Sequence, residues 1–247
     1  MLKKISSIIV IFIIGTVGGI FADQILWPYF IERPLFLEYR LDQTPVYINE
    51  TKEITIQENI ALENAVEKVE KTVIGIRTEK TSGKILEGSG LIITSDGLIV
   101  TLAELVPQGL TTTFYIKGDS NFKKVKGQVI KRDLENNLAE IKIEATNLTT
   151  TGFADLERIK LGQRVFLKGV KFEEKTSKSI FSESFVNQGI ISSFNKDIIA
   201  TNIFEKNNIS GSPLFDIEAN ALGLNTLDSE DRIITIPITK IKTFLGF

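Results

Sequence analysis

The sequence predicts an all-β domain that follows one N-terminal membrane-spanning segment. About twelve short apolar runs of β type are separated by turn residues at intervals of about 8 to 12 positions. One stretch, residues 59–71, has apolar residues at the three- and four-residue spacing of an amphipathic helix. An uncharged run from Ile5 to Ala22 lies near the N-terminus. Many short strands with few helices indicate a β-sandwich or a pair of β-barrels.

The N-terminal run has the length and flanking charges of a membrane anchor. Lys3 and Lys4 precede Ile5–Ala22, which as a helix would be roughly 27 Å long, close to the hydrocarbon thickness of a bilayer. A cleaved signal peptide is the alternative, but the run is longer than a typical signal-peptide core and Ile20–Ala22 is a poor cleavage site. We therefore favour residues 1–22 as an anchor. The two lysines place the N-terminus in the cytoplasm and the following chain outside it.

Residues 23–58 have the composition of a stalk or linker. Aromatic residues and prolines come first, and a polar stretch rich in threonine and glutamate follows. A partly ordered spacer is the simplest interpretation, and a partner contact through the aromatic portion is the alternative. The predicted helix of residues 59–71 then opens the β domain, which we assign to residues 59–247.

The predicted strands account for most of the remaining chain, and residues 239–247 are predicted to close it as a short helix. The strands are Val73–Thr78, Gly90–Thr94, Leu98–Thr101, Thr112–Lys117, Lys124–Lys131, Leu138–Ile143, Arg164–Val170, Gln188–Ser193, Asp197–Asn202, Pro213–Ile217, Ala221–Leu227 and Arg232–Ile236. Residues 171–184 are interpreted as a loop.

Composition excludes several classes of function. The 247 residues include 43% hydrophobic and 24% charged residues, which is ordinary for a globular chain. A net charge of −2, with no basic cluster, gives no basis for nucleic-acid binding. The chain has no cysteine and no histidine, so disulfides, thiol nucleophiles and the usual transition-metal ligands are absent. We therefore expect neither a metal nor another cofactor.

Three segments, in chain order, resemble the motifs of HtrA/Deg-type serine proteases. Gly88–Thr101 (GSGLIITSDGLIVT) resembles the hairpin that leads to the catalytic histidine in that family. Asp133–Ile143 (DLENNLAEIKI) resembles the segment that carries the catalytic aspartate, and Asn208–Leu214 (NISGSPL) resembles the nucleophile motif. The resemblance covers roughly residues 61–247. It implies a trypsin-like double β-barrel, which would follow the predicted short helix and the N-terminal transmembrane helix.

The resemblance also locates the catalytic positions, and two of the three carry the wrong residue. The histidine position falls on Glu104, three residues after Thr101, and the aspartate position falls on Asn137. Ser210 stands at the nucleophile position. Loss of the histidine from such a triad costs on the order of a million-fold in turnover. A carboxylate with an ordinary pKa of about 4.3 is a poor base for a hydroxyl near neutral pH.

The loop that would form the oxyanion hole also departs from the family. Asn208 replaces the glycine two residues before the nucleophile, and Ser212 replaces the second glycine after it. Asparagine tolerates positive φ better than most residues, so we expect the loop to keep its form.

Three functions follow as hypotheses. The first is a membrane-anchored, catalytically inactive protease homologue that captures extended peptides, unfolded proteins or an active protease paralogue, as a homo- or hetero-oligomer. The second is a serine endopeptidase with residual, acid-shifted activity that uses Ser210 with Glu104, or with a lysine, as base. The third is a structural envelope module. The resemblance further leads us to expect no PDZ domain of the kind that many relatives carry.

Overall fold

The computed structural model describes residues 2–26, 60–119, 121–176 and 179–247. Its contacts divide the chain into two compact units, Met1–Ile56 and Gln57–Phe247. In the first unit, helix α1 spans Leu2–Phe21, and a π-helical turn, Ala22–Leu26, continues it. The stretch Ile5–Leu26 has a mean hydropathy of 2.4 and is wholly exposed, so by length and composition it is able to cross a membrane. Of the predicted stalk, residues 23–58, only residues 23–26 are described, and they continue the helix.

The second unit opens with helix α2, residues 60–68, within the predicted helix. Thirteen strands follow among the described residues: β1 (Val73–Glu79), β2 (Ile85–Ile92), β3 (Leu98–Leu102), β4 (Thr111–Lys117), β5 (Phe122–Val125), β6 (Gly127–Asp133), β7 (Leu138–Ile143), β8 (Arg164–Thr176), β9 (Ser179–Phe194), β10 (Ile199–Thr201), β11 (Pro213–Asp216), β12 (Ala221–Leu227) and β13 (Ile233–Pro237). Helix α3 (Ile238–Leu245) closes the chain, as predicted, and ends at Gly246 with a φ of 85°.

The strands form two antiparallel sheets, which confirms the all-β prediction. The first sheet has seven strands in the order β5-β4-β1-β2-β3-β7-β6, and the second is a closed barrel in the order β10-β13-β12-β11-β8-β9. The two sheets meet along β8, where an added Cβ on Gly75 of β1 would lie 2.9 Å from Val170 Cγ1 and 2.8 Å from Phe172 Cζ. Gly75 is therefore the small residue that lets β1 and β8 pack closely.

Two strand predictions differ from the structure. The predicted strand Lys124–Lys131 is broken at Lys126, because β5 and β6 lie at opposite edges of the first sheet and the chain turns between them. At that turn an added Cβ on Gly127 would lie 2.8 Å from Ile143 Cγ2 and 2.9 Å from Phe114 Cε2. Residues 171–184, interpreted as a loop, instead extend β8 and β9 into a long hairpin whose register is continuous from Arg164–Ile190 to Glu174–Ile180.

Candidate active-site cleft

A cleft of about 1090 Å³ on the second unit contains two of the three predicted catalytic positions. Glu104 lies in the 3₁₀ turn Ala103–Leu105 that follows β3, and Ser210 lies in the loop before β11. Ala103 and Leu105 are buried in the core, so the residue between them, Glu104, points to solvent. Asn137 is not among the residues that line the cleft.

Asn137 is bonded to the backbone of the turn that carries Glu104. Its side-chain Oδ1 accepts a hydrogen bond from the Glu104 N–H at 3.0 Å, and its backbone carbonyl accepts one from the Ala103 N–H at 3.0 Å. The φ of Asn137 is 54°, a left-handed conformation that asparagine adopts more readily than most residues. Asn137 therefore holds the turn in place, and its acceptor oxygen is occupied.

Glu104 and Ser210 share the cleft without a hydrogen bond between them. Within the described part of the chain, the Glu104 carboxylate has no hydrogen bond and no ion pair, and the Ser210 hydroxyl has no hydrogen bond. Three lysines, Lys80, Lys84 and Lys206, also line the cleft, and none is bonded to the serine hydroxyl. General-base activation requires a base in hydrogen-bonding contact with the nucleophile, and none of the described residues supplies one to Ser210.

The backbone N–H of Ser210 is also occupied. It donates to the side-chain Oδ1 of Asn208 at 3.1 Å, while Asn208 Nδ2 donates to the carbonyl of Glu87. Asn208 has no positive φ; the left-handed residue of this loop is Gly211, with a φ of 74°. Asn208 thus stabilises the loop through its side-chain hydrogen bonds. One of these bonds engages the Ser210 N–H, which would otherwise be free to stabilise an oxyanion.

Ser89 of β2, fully buried, ties the nucleophile loop to both sheets. Its N–H donates to the carbonyl of Ser210 at 2.9 Å, and its hydroxyl oxygen accepts from the Val170 N–H at 2.9 Å. Its carbonyl accepts from the Thr101 hydroxyl at 2.6 Å. An added Cβ on Gly211 would lie 2.2 Å from that carbonyl oxygen, so the loop and β2 pack as closely as glycine allows.

Asn225 of β12, also fully buried, holds the other side of the loop. Its backbone carbonyl accepts from the Gly211 N–H at 2.8 Å, and its Nδ2 donates to the carbonyl of Ser212 at 2.9 Å and to the Ser212 hydroxyl at 3.2 Å. Its Oδ1 accepts from the Thr235 hydroxyl at 2.6 Å. Sequence reasoning missed Ser89 and Asn225, although a polar residue inside the apolar run 221–227 is a usable signal.

The segment before Ser210 forms a wall of the cleft and is organised by Glu205. The Glu205 carboxylate accepts from the N–H groups of Lys206 and Asn207 at 2.8 and 3.0 Å, and from Asn187 Nδ2 at 2.9 Å. Burial raises the pKa of the Glu205 carboxyl, but these hydrogen bonds together outweigh burial and leave the pKa below its usual value. The neighbouring Phe204 is 77% exposed.

Among the described residues, no group of three or more aspartate and glutamate side chains is placed to hold a metal ion. The Asp133 carboxylate accepts hydrogen bonds from the N–H and the Nδ2 of Asn136 at 3.0 and 2.7 Å, so Asp133 stabilises the turn after β6.

Comparison with known proteins gives matches to a family model, to curated relatives and to solved structures. The family model of the trypsin-like peptidase domain matches residues 88–224. A probable periplasmic serine endoprotease, DegP-like, of Halomonas elongata is 31% identical over 112 residues, which are 42% of this chain and 22% of the relative. The crystal structure of a serine endoprotease from Yersinia pestis superimposes with a TM-score of 0.60 at 21% identity, over 75% of this chain and 65% of that one. This chain thus spans about a fifth of the curated relative, and the structural match identifies the fold as trypsin-like.

Proposed function

Because this chain belongs to the trypsin-like peptidase domain family, as a homologue of HtrA-type serine proteases, we propose that its double barrel binds protein segments without cleaving them. The observation that carries the proposal is the state of Ser210. Its hydroxyl has no hydrogen-bonded base among the described residues, and its N–H is bonded to Asn208. Glu104 occupies the position at which the family resemblance places histidine, and the chain has no histidine elsewhere. A triad hydrolase needs both a proton acceptor and free oxyanion donors.

The walls of the cleft support binding of an extended apolar segment. Phe204, Leu227 and Ile85 line the cleft and are 77%, 45% and 37% exposed. Among the described residues, Ile85 and Leu86 at the start of β2 pair with β1 and have no second strand beside them, since β3 pairs with β2 at Leu91 and Ile92. A strand edge next to exposed apolar side chains suits a peptide that adds as a further strand.

We propose further that the N-terminal helix anchors the domain in the membrane, with the barrels outside the cytoplasm. The apolar stretch Ile5–Leu26 supports the anchor, and the Halomonas relative is described as periplasmic. If the helix is retained, the mature protein stays in the membrane fraction after carbonate extraction. Release of a shortened protein would contradict the anchor and favour a cleaved signal peptide.

Binding without cleavage is tested with a fluorescently labelled unfolded protein, β-casein, added to the full-length protein in detergent. We expect a rise in fluorescence anisotropy and no fragments after overnight incubation. Phe204→Ser should weaken capture on the order of tenfold, because it removes the most exposed apolar side chain of the cleft.

Leu161→Ser is the matched control, because Leu161 is 66% exposed and does not line the cleft. Equal loss of binding in both variants would indicate nonspecific hydrophobic capture. Fragments that disappear in the Ser210→Ala variant would contradict the proposal outright.

A further inference from the structure

A second, smaller pocket lies between helix α2 and strand β8 and is separate from the cleft. It has a volume of about 400 Å³, and none of its lining residues lines the cleft. Its walls are Leu62, Glu63, Val66, Glu67 and Glu70 from the helical side and Lys168 from β8. A volume near the lower end of known ligand sites suits a molecule of a few heavy atoms.

Lys168 is the unusual member of this pocket. It is 3% exposed and lies within a run of β8, residues 165–170, in which every residue is buried. Because side chains alternate along a strand, it shares a face with Phe166 and Val170, which belong to the same apolar core as Ala65 and Val69 near the helix. A lysine at such a position is rare unless its ammonium group is paired.

The ammonium group of Lys168 has no hydrogen bond and no ion pair with any residue that the structure describes. Glu70, whose charge acts on Lys168, is shared with Lys117, whose Nζ lies 3.6 Å from the Glu70 carboxylate. Burial lowers the pKa of Lys168; Glu70 opposes this shift and Lys117 adds to it. Because Lys168 lines the pocket and is otherwise enclosed, its ammonium group meets solvent there, and an anionic group in the pocket would supply the hydrogen bonds that no described residue makes with it.

The other side chains define the rest of the ligand. Leu62 and Val66 are one helical turn apart and offer an apolar strip. Glu63 and Glu67 are exposed and leave two negative charges at the solvent side of the same pocket. The pocket therefore has the Lys168 ammonium group at its inner end, the Leu62 and Val66 side chains along one wall, and carboxylates at its opening to solvent.

From this pattern we infer that the pocket between α2 and β8 binds a short aliphatic zwitterion, with its carboxylate on Lys168 and its ammonium group toward Glu63 and Glu67. The site is independent of the proposed peptide cleft. A failure of this inference leaves the proposed function untouched, and the reverse also holds.

The test is isothermal titration calorimetry of the full-length protein in detergent with three six-carbon probes: 6-aminohexanoate, hexanoate and hexylamine. We expect saturable binding of 6-aminohexanoate. Hexanoate, which lacks only the exposed ion pairs, should bind about two- to fivefold more weakly. Hexylamine, which leaves Lys168 without a partner, should bind at least about tenfold more weakly.

Lys168→Met should weaken binding of 6-aminohexanoate at least about tenfold, whereas Lys123→Met, at an exposed lysine of β5, should change it less than about twofold. Methionine keeps the length of the side chain and removes a buried charge, so the fold is expected to persist. If Lys168→Met does not fold, the exposed pair Glu63→Gln and Glu67→Gln gives a second test, with an expected two- to fivefold loss, about that of exposed ion pairs. Unchanged binding in these variants, hexylamine binding as tight as that of 6-aminohexanoate, or no saturable binding at about 10 mM would overturn the inference.

Discussion

Removal of the Ser89 hydroxyl should destabilise the domain far more than a serine-to-alanine change on the surface. The hydroxyl oxygen accepts the Val170 N–H at 2.9 Å, and Ser89 is fully buried. Ser89→Ala leaves that N–H without an acceptor in a dry interface, which costs about 1–3 kcal/mol. For a domain of this size, each kcal/mol lowers the melting temperature by about 2–4 °C, so the expected fall is about 2–12 °C.

The assay is thermal and urea unfolding of the full-length protein in detergent, followed by far-ultraviolet circular dichroism. Ser193→Ala is the matched control, because Ser193 lies on exposed β9 surface with no side-chain hydrogen bond among the described residues, and it should change stability by less than about 0.5 kcal/mol. If Ser89→Ala behaves like Ser193→Ala, the Val170 N–H has another partner and Ser89 does not join the two sheets.

Three further outcomes are expected from the same geometry. Gly211→Ala should prevent stable folding or lower the free energy of unfolding in urea by several kcal/mol, because the φ of Gly211 is 74° and the new Cβ would lie 2.2 Å from the Ser89 carbonyl oxygen. A loss below about 1 kcal/mol would contradict the close packing. Because the folded-state pKa of Glu205 is lowered, its carboxylate stabilises the fold above the unfolded pKa of about 4.3, and this contribution is lost as pH falls through the folded pKa. Glu205→Gln should therefore be less stable than the native protein near pH 7, and the difference should shrink as the pH falls below the unfolded pKa of about 4.3. A difference that does not shrink with acid would be inconsistent with this role. Asn208→Gly alone should not produce cleavage of labelled β-casein, since freeing the Ser210 N–H supplies no base. Fragments in this variant would show that the lack of a base is not the reason for inactivity.

Much of the fold follows from local patterns in the sequence. Apolar runs bounded by turn residues predict β1, β3 and β7 to within about one residue. The break at Lys126 was not predictable in this way, since it depends on which sheet edges β5 and β6 occupy. The β8–β9 hairpin was missed for a similar reason: most of residues 171–184 are polar, and the strands are extended by backbone pairing between them, which a residue pattern does not specify.

In the candidate site, too, some features were predictable from the sequence and others were not. Motif order alone predicts that Glu104 and Ser210 lie close together, and both line the cleft. The bond from the Ser210 N–H to Asn208 depends on the conformation of a loop, and the sequence offered only the replacement of a glycine. Ser89 and Asn225 act through hydrogen bonds between segments far apart in the chain, which residue patterns do not specify.

The most direct test of whether Ser210 is unreactive is labelling of the full-length protein with a fluorophosphonate probe at about pH 4.5 and at about pH 7.5, with Ser210→Ala as control. The acid pH is included because a peptidase that used Glu104 as its base would be expected to react at acid pH. We expect no labelling that depends on Ser210 at either pH, because no residue that the structure describes serves its hydroxyl as a hydrogen-bonded base and its N–H is bonded to Asn208. Labelling that Ser210→Ala abolishes, above all at the acid pH, would contradict the account and make Glu104 the residue to replace next.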